Sequence, residues 1–169
     1  MMKWIGAILI IVACVGFGLM ISGFHRKEVA GLKKLISALN FMECELQYRM
    51  PALPELLRRT ATECDGNLKK VLHNLADELD EQVSPDVKHC MNSVLDRAKD
   101  IPNETKVCLS MLGESLGQFD LQGQIKSLEN VRRECKERLS KLLGNADVRL
   151  RSYQTLGVCA GAALIILLM

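Results

Sequence analysis

The charges of this 169-residue chain are confined to its middle. Trp4 through Phe24 carries none, and neither does Ser152 through Met169, which ends Ala-Ala-Leu-Ile-Ile-Leu-Leu-Met. Apart from Lys3, every Lys, Arg, Asp and Glu falls within 26–151. A free globular protein has no use for two long uncharged apolar ends, because its surface needs polar groups along the whole chain. The pattern predicts two membrane anchors holding one domain against a bilayer. Function is then to be sought on an anchored domain rather than in a free catalyst.

A spanning helix needs about 20 apolar residues to cross about 30 Å of hydrocarbon. The segment 4–24 meets that length. The segment 152–169 sits near the lower limit of about 17, with Tyr153 as an interfacial ring. Such a helix inserts with local thinning of the bilayer, or leaves its carboxylate at the far headgroups. His25, Arg26, Lys27, Lys33 and Lys34 follow the first segment, and Lys141, Arg149 and Arg151 precede the second. Basic residues favour the cytoplasmic side, so the middle domain is expected there and both termini across the membrane. A cleaved signal peptide fits less well, since the apolar run is long and ends in Arg-Lys. Ile11-Val12-Ala13-Cys14 fits a loose lipobox, yet the ten positions after Cys14 stay apolar. Gly157 and Gly161 have the spacing of close-packing membrane helices. Ordinary membrane-helix composition explains them equally simply.

Residues 25–151 are long enough for one domain with its own core. The whole chain carries a net +2, and setting Lys3 aside leaves +1 for this middle. That balance, with aromatic residues at 4 %, argues against a nucleic-acid binder with a basic stripe or base-stacking platform. The seven cysteines stand at 14, 44, 64, 90, 108, 135 and 159. They form no Cys-x-x-Cys pair, so neither a zinc nor an iron–sulfur site is expected. Cys14 and Cys159 fall in the anchors, and the other five are expected to pack as small apolar residues in a reducing cytosol. His89-Cys90 are neighbours that point in different directions on a helix, so no catalytic pair is expected from them.

The middle reads as all-α, an antiparallel bundle of about six helices between the two terminal anchors. No stretch alternates apolar and polar residues as a strand would. Val29, Leu32, Leu35, Ile36, Leu39, Met42 and Leu46 make one stripe on a first helix running to about Tyr48. Pro51 and Pro54 break it, and a short helix follows over about 55–64. Asp65-Gly66 signals a turn, and Asn67 is placed to cap a third helix with Leu68, Val71, Leu72, Leu75, Ala76 and Leu79 inward. Ser84-Pro85 precede a fourth helix to about Ala98. Pro102-Asn103-Glu104 start a fifth, with Val107, Cys108, Met111 and Leu112 inward and Gly113 and Gly117 weakening its end. Asp120 then caps a long last helix. Leu121, Ile125, Leu128, Val131, Cys135, Leu139, Leu142, Ala146 and Leu150 give it a coiled-coil-like seam, softened at Gly123 and Gly144. The two long helices are expected to lie antiparallel as a stalk with the short helices against it.

Four stretches carry a family resemblance. They are Ser37-Ala38-Leu39 leading to Glu43-Cys44-Glu45-Leu46-Gln47-Tyr48; Pro51-Ala52-Leu53-Pro54-Glu55-Leu56-Leu57; Leu112-Gly113-Glu114-Ser115-Leu116-Gly117 with Asp120 and Gln124; and Tyr153-Gln154-Thr155-Leu156-Gly157-Val158. In this order and at this length, the chain resembles the stage III sporulation protein AB family of endospore-forming bacteria. The resemblance implies a subunit of a trans-envelope channel between mother cell and forespore, in the mother-cell (outer forespore) membrane. It implies a soluble domain similar to the cytoplasmic helical domains of the type II secretion and type IV pilus platform protein. The implied partners are a secretion-type ATPase, stage III sporulation protein AA, and the other channel proteins encoded with it. Oligomerisation is left open.

The residues marked by that pattern are Glu43, Glu45, Tyr48, Pro54, Glu55, Gly113, Gly117, Asp120 and Gln124. Glu43, Glu45, Tyr48 and Glu55 surround the proline break, with Arg58 and Arg59 alongside. They read either as a partner-facing acidic corner or, more simply, as helix capping and solvated charge. Gly113 and Gly117, four apart, either let another helix come close or end the helix in left-handed geometry, and with Asp120 and Gln124 they are expected chiefly to build a tight turn between helices. Asp77, Glu78, Asp80 and Glu81 read as the solvated face of the third helix. A membrane-tethered signalling or scaffold module is the rival reading. An enzyme is not expected. The only histidines are His25, His73 and His89, no phosphate-cradling loop exists, and no cofactor or metal is called for.

Overall fold

A computed structural model describes the backbone of residues 2–81, 86–98, 100–117 and 120–168, and the side chains of 23–81, 86–98, 100–117 and 120–144. Six helices make up the described residues, with no strand among them: α1 (Met2–Tyr48), α2 (Leu53–Glu63), α3 (Asn67–Asp80), α4 (Val87–Arg97), α5 (Asn103–Ser115) and α6 (Leu121–Leu168). Two units result. One joins the two ends of the chain, Met1–Lys27 with Ser140–Met169, and the other is Glu28–Leu139. Among the described residues no helix is long and apolar enough to cross a membrane. The two expected anchors fall almost wholly on residues whose side chains lie outside that description.

The core of the second unit follows from periodicity. Leu32, Leu35, Leu39, Met42 and Leu46 recur every three to four residues on α1, and all are buried. Leu56, Leu57 and Ala61 of α2, and Leu68, Val71, Leu72, Leu75 and Ala76 of α3, supply the next layer. α4 packs on α5, with Cys90, Met91, Val94 and Leu95 buried on α4 and Cys108, Leu109 and Leu112 buried on α5. On α5 the expected Cys108 and Leu112 are buried, but the buried face turns away from Val107 and Met111 toward Thr105 and Leu109. Val107 is 43 % exposed, while Leu109 is buried. The expected seam on α6 is also shorter than its periodicity suggests. Leu128, Val131 and Cys135 are buried, Leu121, Ile125, Leu139 and Leu142 only half-buried, and Ala146 and Leu150 lie outside the described side chains. Cys44 is exposed, contrary to the packing role expected of it, while Cys64, Cys90, Cys108 and Cys135 are buried.

Two caps differ from expectation. Asn67 does not cap α3; it is the first residue of that helix, and its side-chain amide donates to the Asp100 carbonyl at 3.1 Å. The cap of α4 is Asp86, whose carboxylate accepts from the Lys88 N–H at 3.0 Å. Ser84 and Pro85 lie outside the described residues.

The start of α5 is capped from another helix. Pro102 stands at its N-cap position and has no side chain able to accept a hydrogen bond. Glu28 of α1 takes that place, accepting from the Asn103 N–H at 2.9 Å and the Glu104 N–H at 3.1 Å. One carboxylate thereby satisfies two free donors at the positive end of a helix dipole. Glu28→Ala should therefore destabilise this unit by about 1–2 kcal/mol in urea denaturation, with Glu28→Gln falling between the two.

Ion pairs fix the direction of the long helices within this unit. Arg132 of α6 bonds Asn40 and Glu43 of α1, each at 2.7 Å. Nearer the start of that part of α1, Glu28 holds Glu104 through its N–H, and the Glu104 carboxylate binds Arg138 of α6 at 2.8 Å. Residue numbers rise along one helix as they fall along the other, so these parts of α1 and α6 run antiparallel. The acidic residues of α3 and its C-cap keep a solvated face, with Asp80 and Glu81 exposed and Asp77 half-buried, but three of the four also pair with arginines of other helices, and Glu78 is largely covered. Arg58 of α2 binds Asp77 at 3.0 Å and Asp80 at 2.5 Å, and Arg97 of α4 binds Glu78 at 2.9 Å.

Candidate functional site

The residues singled out in the sequence separate into two places. The first is the corner between α1 and α2. α1 ends where the Arg49 and Met50 N–H groups both donate to the Glu45 carbonyl, at 2.9 and 3.3 Å. Pro51 then prevents continuation, and Pro54 lies within the first turn of α2, where its missing N–H costs nothing. The carboxylates here are already engaged. Glu55 holds Arg59 at 2.6 Å, one turn along α2. Glu45, largely buried, also reaches Arg59 at 3.4 Å. Glu43 is committed to Arg132 of α6.

The expected acidic corner is thus neutralised by its own arginines and tied into the fold. What it leaves outward is Tyr48, 84 % exposed, and Met50, 64 % exposed. Met50 is held at φ +48°, a left-handed conformation that side chains other than glycine seldom adopt. The exposed Arg49 side chain stands between them, 3.9 Å from Glu45. An aromatic, a thioether and a guanidinium on one turn are the residue types enriched at protein interfaces.

The second place is the turn from α5 to α6. Gly117 has φ +78°, and the chain can reverse there because no Cβ opposes it. Asp120 accepts from the Gly123 N–H at 3.1 Å, which caps α6 as its spacing predicts. Gln124 is half-buried, and its N–H donates to the Asp120 carbonyl at 2.8 Å. Gly113 belongs not to this turn but to the crossing of α5 with α4. A Cβ built on it would lie 2.6 Å from Met91 Cβ and 2.7 Å from Met91 Cγ. Among the described residues, these four shape the α5–α6 turn and the α4–α5 crossing.

Chemistry-bearing side chains are scattered. His73 is exposed on α3, 3.7 Å from Asp77, and His89 is exposed on α4. Among the described residues no group of three or more His, Cys, Asp or Glu is placed to hold a metal ion. A shallow cleft of about 370 Å³ lies between α5 and α6, lined by Met111, Glu114, Ser127, Asn130 and Arg133 among others. Several residues that organise the unit were not marked in the sequence. Glu28, Gly31, Arg132 and Arg138 all mark helix crossings. Their signal was the interruption of an apolar stripe by glycine, or a charge at its edge.

A solved structure named stage III sporulation protein AB aligns with a TM-score of 0.62 at 19 % identity, covering 72 % of this chain and 98 % of the other. At that identity the likeness speaks for the fold. No curated protein matches. The model of the stage III sporulation protein AB family matches residues 3–169. The chain therefore belongs to the stage III sporulation protein AB family, a family of sporulation proteins.

Proposed function

We propose that this protein is a membrane-anchored, non-catalytic assembly subunit of a sporulation-specific secretion or channel complex between mother cell and forespore. In this reading its helical unit sits on the cytoplasmic face of the mother-cell (outer forespore) membrane. There it couples a secretion-type ATPase, stage III sporulation protein AA, to channel proteins encoded with it. Membership of the sporulation family over nearly the whole chain is the observation that carries the reading. The uncharged ends 4–24 and 152–169 supply the anchors. Because Glu43, Glu45 and Glu55 are spent on internal ion pairs, the contact with the motor falls to Tyr48, Arg49 and Met50. In α1 this turn is twenty residues from Glu28, about 30 Å along the helix, well placed to meet a partner in the cytoplasm.

Topology mapping tests the anchoring. With single cysteines at Met2→Cys or Leu168→Cys, in a chain expressed in intact non-sporulating cells so that the far face of its membrane meets the medium, a membrane-impermeant maleimide should label both ends. The exposed Cys44 should label only after lysis. Labelling of Cys44 in intact cells, or of either end only after lysis, would contradict the arrangement.

A further inference from the structure

Just past the first uncharged segment, the charge of α1 falls on the side away from the core. Lys33 and Lys34 are exposed, as are Ala30 and Ser37, whereas Leu32, Leu35 and Leu39 are buried. Arg26 and Lys27 stand one heptad earlier in the sequence, and both are exposed. No acidic residue stands three or four positions from any of these four, so none has an ion-pair partner along its own helix. Lys33 and Lys34 form no ion pair among the described residues. By contrast, Arg58, Arg59, Arg97, Arg132 and Arg138 are all bound to carboxylates. Glu28 is the only acid between 25 and 42, and its carboxylate is spent on the Asn103 and Glu104 N–H groups at the start of α5.

The rest of the unit has the opposite balance. Residues 25–34 hold four Lys and Arg against one Asp or Glu, while 35–139 hold 14 against 18. The basic excess begins two residues past Phe24 and gives way to acid at Glu43 and Glu45. At helical rise Lys34 lies about 15 Å beyond Phe24, within about one screening length of a headgroup layer that starts there. Lysine stems are long enough to snorkel toward that layer.

We infer that Arg26, Lys27, Lys33 and Lys34 bind anionic phospholipid headgroups, each pair taking the phosphates of its own lipids in the cytoplasmic leaflet. The site presupposes the anchors proposed above, which hold these residues at a bilayer. Arg26 can grip a phosphate with two parallel N–H bonds, and the lysines act as point charges. The same anionic surface repels the net-negative remainder of the unit, so the attraction is confined to this basic stretch.

The full chain, purified in dodecyl maltoside micelles, is given equimolar phosphatidylglycerol and phosphatidylcholine. The lipid retained after gel filtration is counted by mass spectrometry. Phosphatidylglycerol should be retained about tenfold over phosphatidylcholine, and the preference should vanish in about 0.5 M salt. Arg26→Gln with Lys27→Gln, or Lys33→Gln with Lys34→Gln, should cut it to about threefold, and all four changes together should remove it. Arg26→Lys with Lys27→Arg, Lys33→Arg and Lys34→Arg should keep it. Lys69→Gln with Lys70→Gln, a loss of two exposed charges on α3, should leave it intact. Equal retention of the two lipids, an equal effect of the α3 variant, or displacement of the lipid by soluble glycerol phosphate would overturn the site. A carbonate wash of the chain in vesicles of phosphatidylcholine alone tests the anchors separately. Release there would overturn the anchoring and the site with it, whereas a chain that stays but retains both lipids equally would overturn the site alone.

Discussion

Gly113→Ala is expected to destabilise the helical unit by about 3 kcal/mol, measured as a lower urea midpoint at unchanged slope. The cause is local and steric. The new methyl would stand 2.6 Å from Met91 Cβ, closer than carbon atoms approach without something moving. Met91 is fully buried, and the atom it presents is its Cβ, fixed to the backbone of α4 rather than free at the end of a chain. Relief requires α4 and α5 to separate, which breaks the packing of Leu95, Cys108 and Leu112 around the crossing. The higher helix propensity of alanine returns only about 1 kcal/mol. In the double variant Met91→Gly with Gly113→Ala, both contested atoms of Met91, Cβ and Cγ, are gone and the added methyl enters the space they leave. Its cost should be clearly less than the sum of the two single changes.

The second large effect concerns the proposed coupling. Tyr48→Ala with Met50→Ala should weaken binding of the secretion-type ATPase by about 30-fold or more, the loss of a single interface hot spot worth about 2 kcal/mol. Thermal stability should hardly change, because both side chains project outward and contribute little to the core. Charge reversal at Glu55 should act differently. It breaks the 2.6 Å bond to Arg59, an exposed and solvent-screened pair, so it should alter both stability and binding only slightly. A variant pair that separates binding from stability in this way distinguishes an outward contact from a structural corner.

Much of the architecture was legible because it rests on short-range rules. The α1 stripe from Leu32 to Leu46, its end at Tyr48 before Pro51, and the Asp120 cap all follow from spacing and turn chemistry. The misreadings share a different cause. Val107 and Leu109 are both apolar neighbours of Cys108, and only the angle at which α5 meets α4 and α6 decides which is covered. Asn67 resembles a cap in sequence, but its amide is drawn to a carbonyl 33 residues away. Glu78 read as solvent-facing and is largely covered, and the pairings of Asp77 and Asp80 were not visible, because their partners, Arg97 and Arg58, belong to other helices.

The same limit governs the candidate surface. Glu43, Glu45 and Glu55 could be marked by type and position, but whether they face a partner depends on where arginines fall elsewhere in the fold. Arg132 is 89 residues beyond Glu43, and nothing in local spacing connects them. Glu28 is a comparable case, since a carboxylate on α1 caps a helix that begins 75 residues later. Pairings across such separations are properties of the tertiary fold, so only the exposed remainder, Tyr48 and Met50, can be offered as a binding surface.

Recruitment of the ATPase to membranes tests the coupling role most directly. Membranes carrying the full chain, membranes carrying the Tyr48→Ala with Met50→Ala variant, and membranes lacking the chain would each be mixed with purified stage III sporulation protein AA and sedimented. The coupling role predicts that the ATPase sediments with the first and stays in the supernatant with the other two. Equal sedimentation with all three, or none with any, would contradict it.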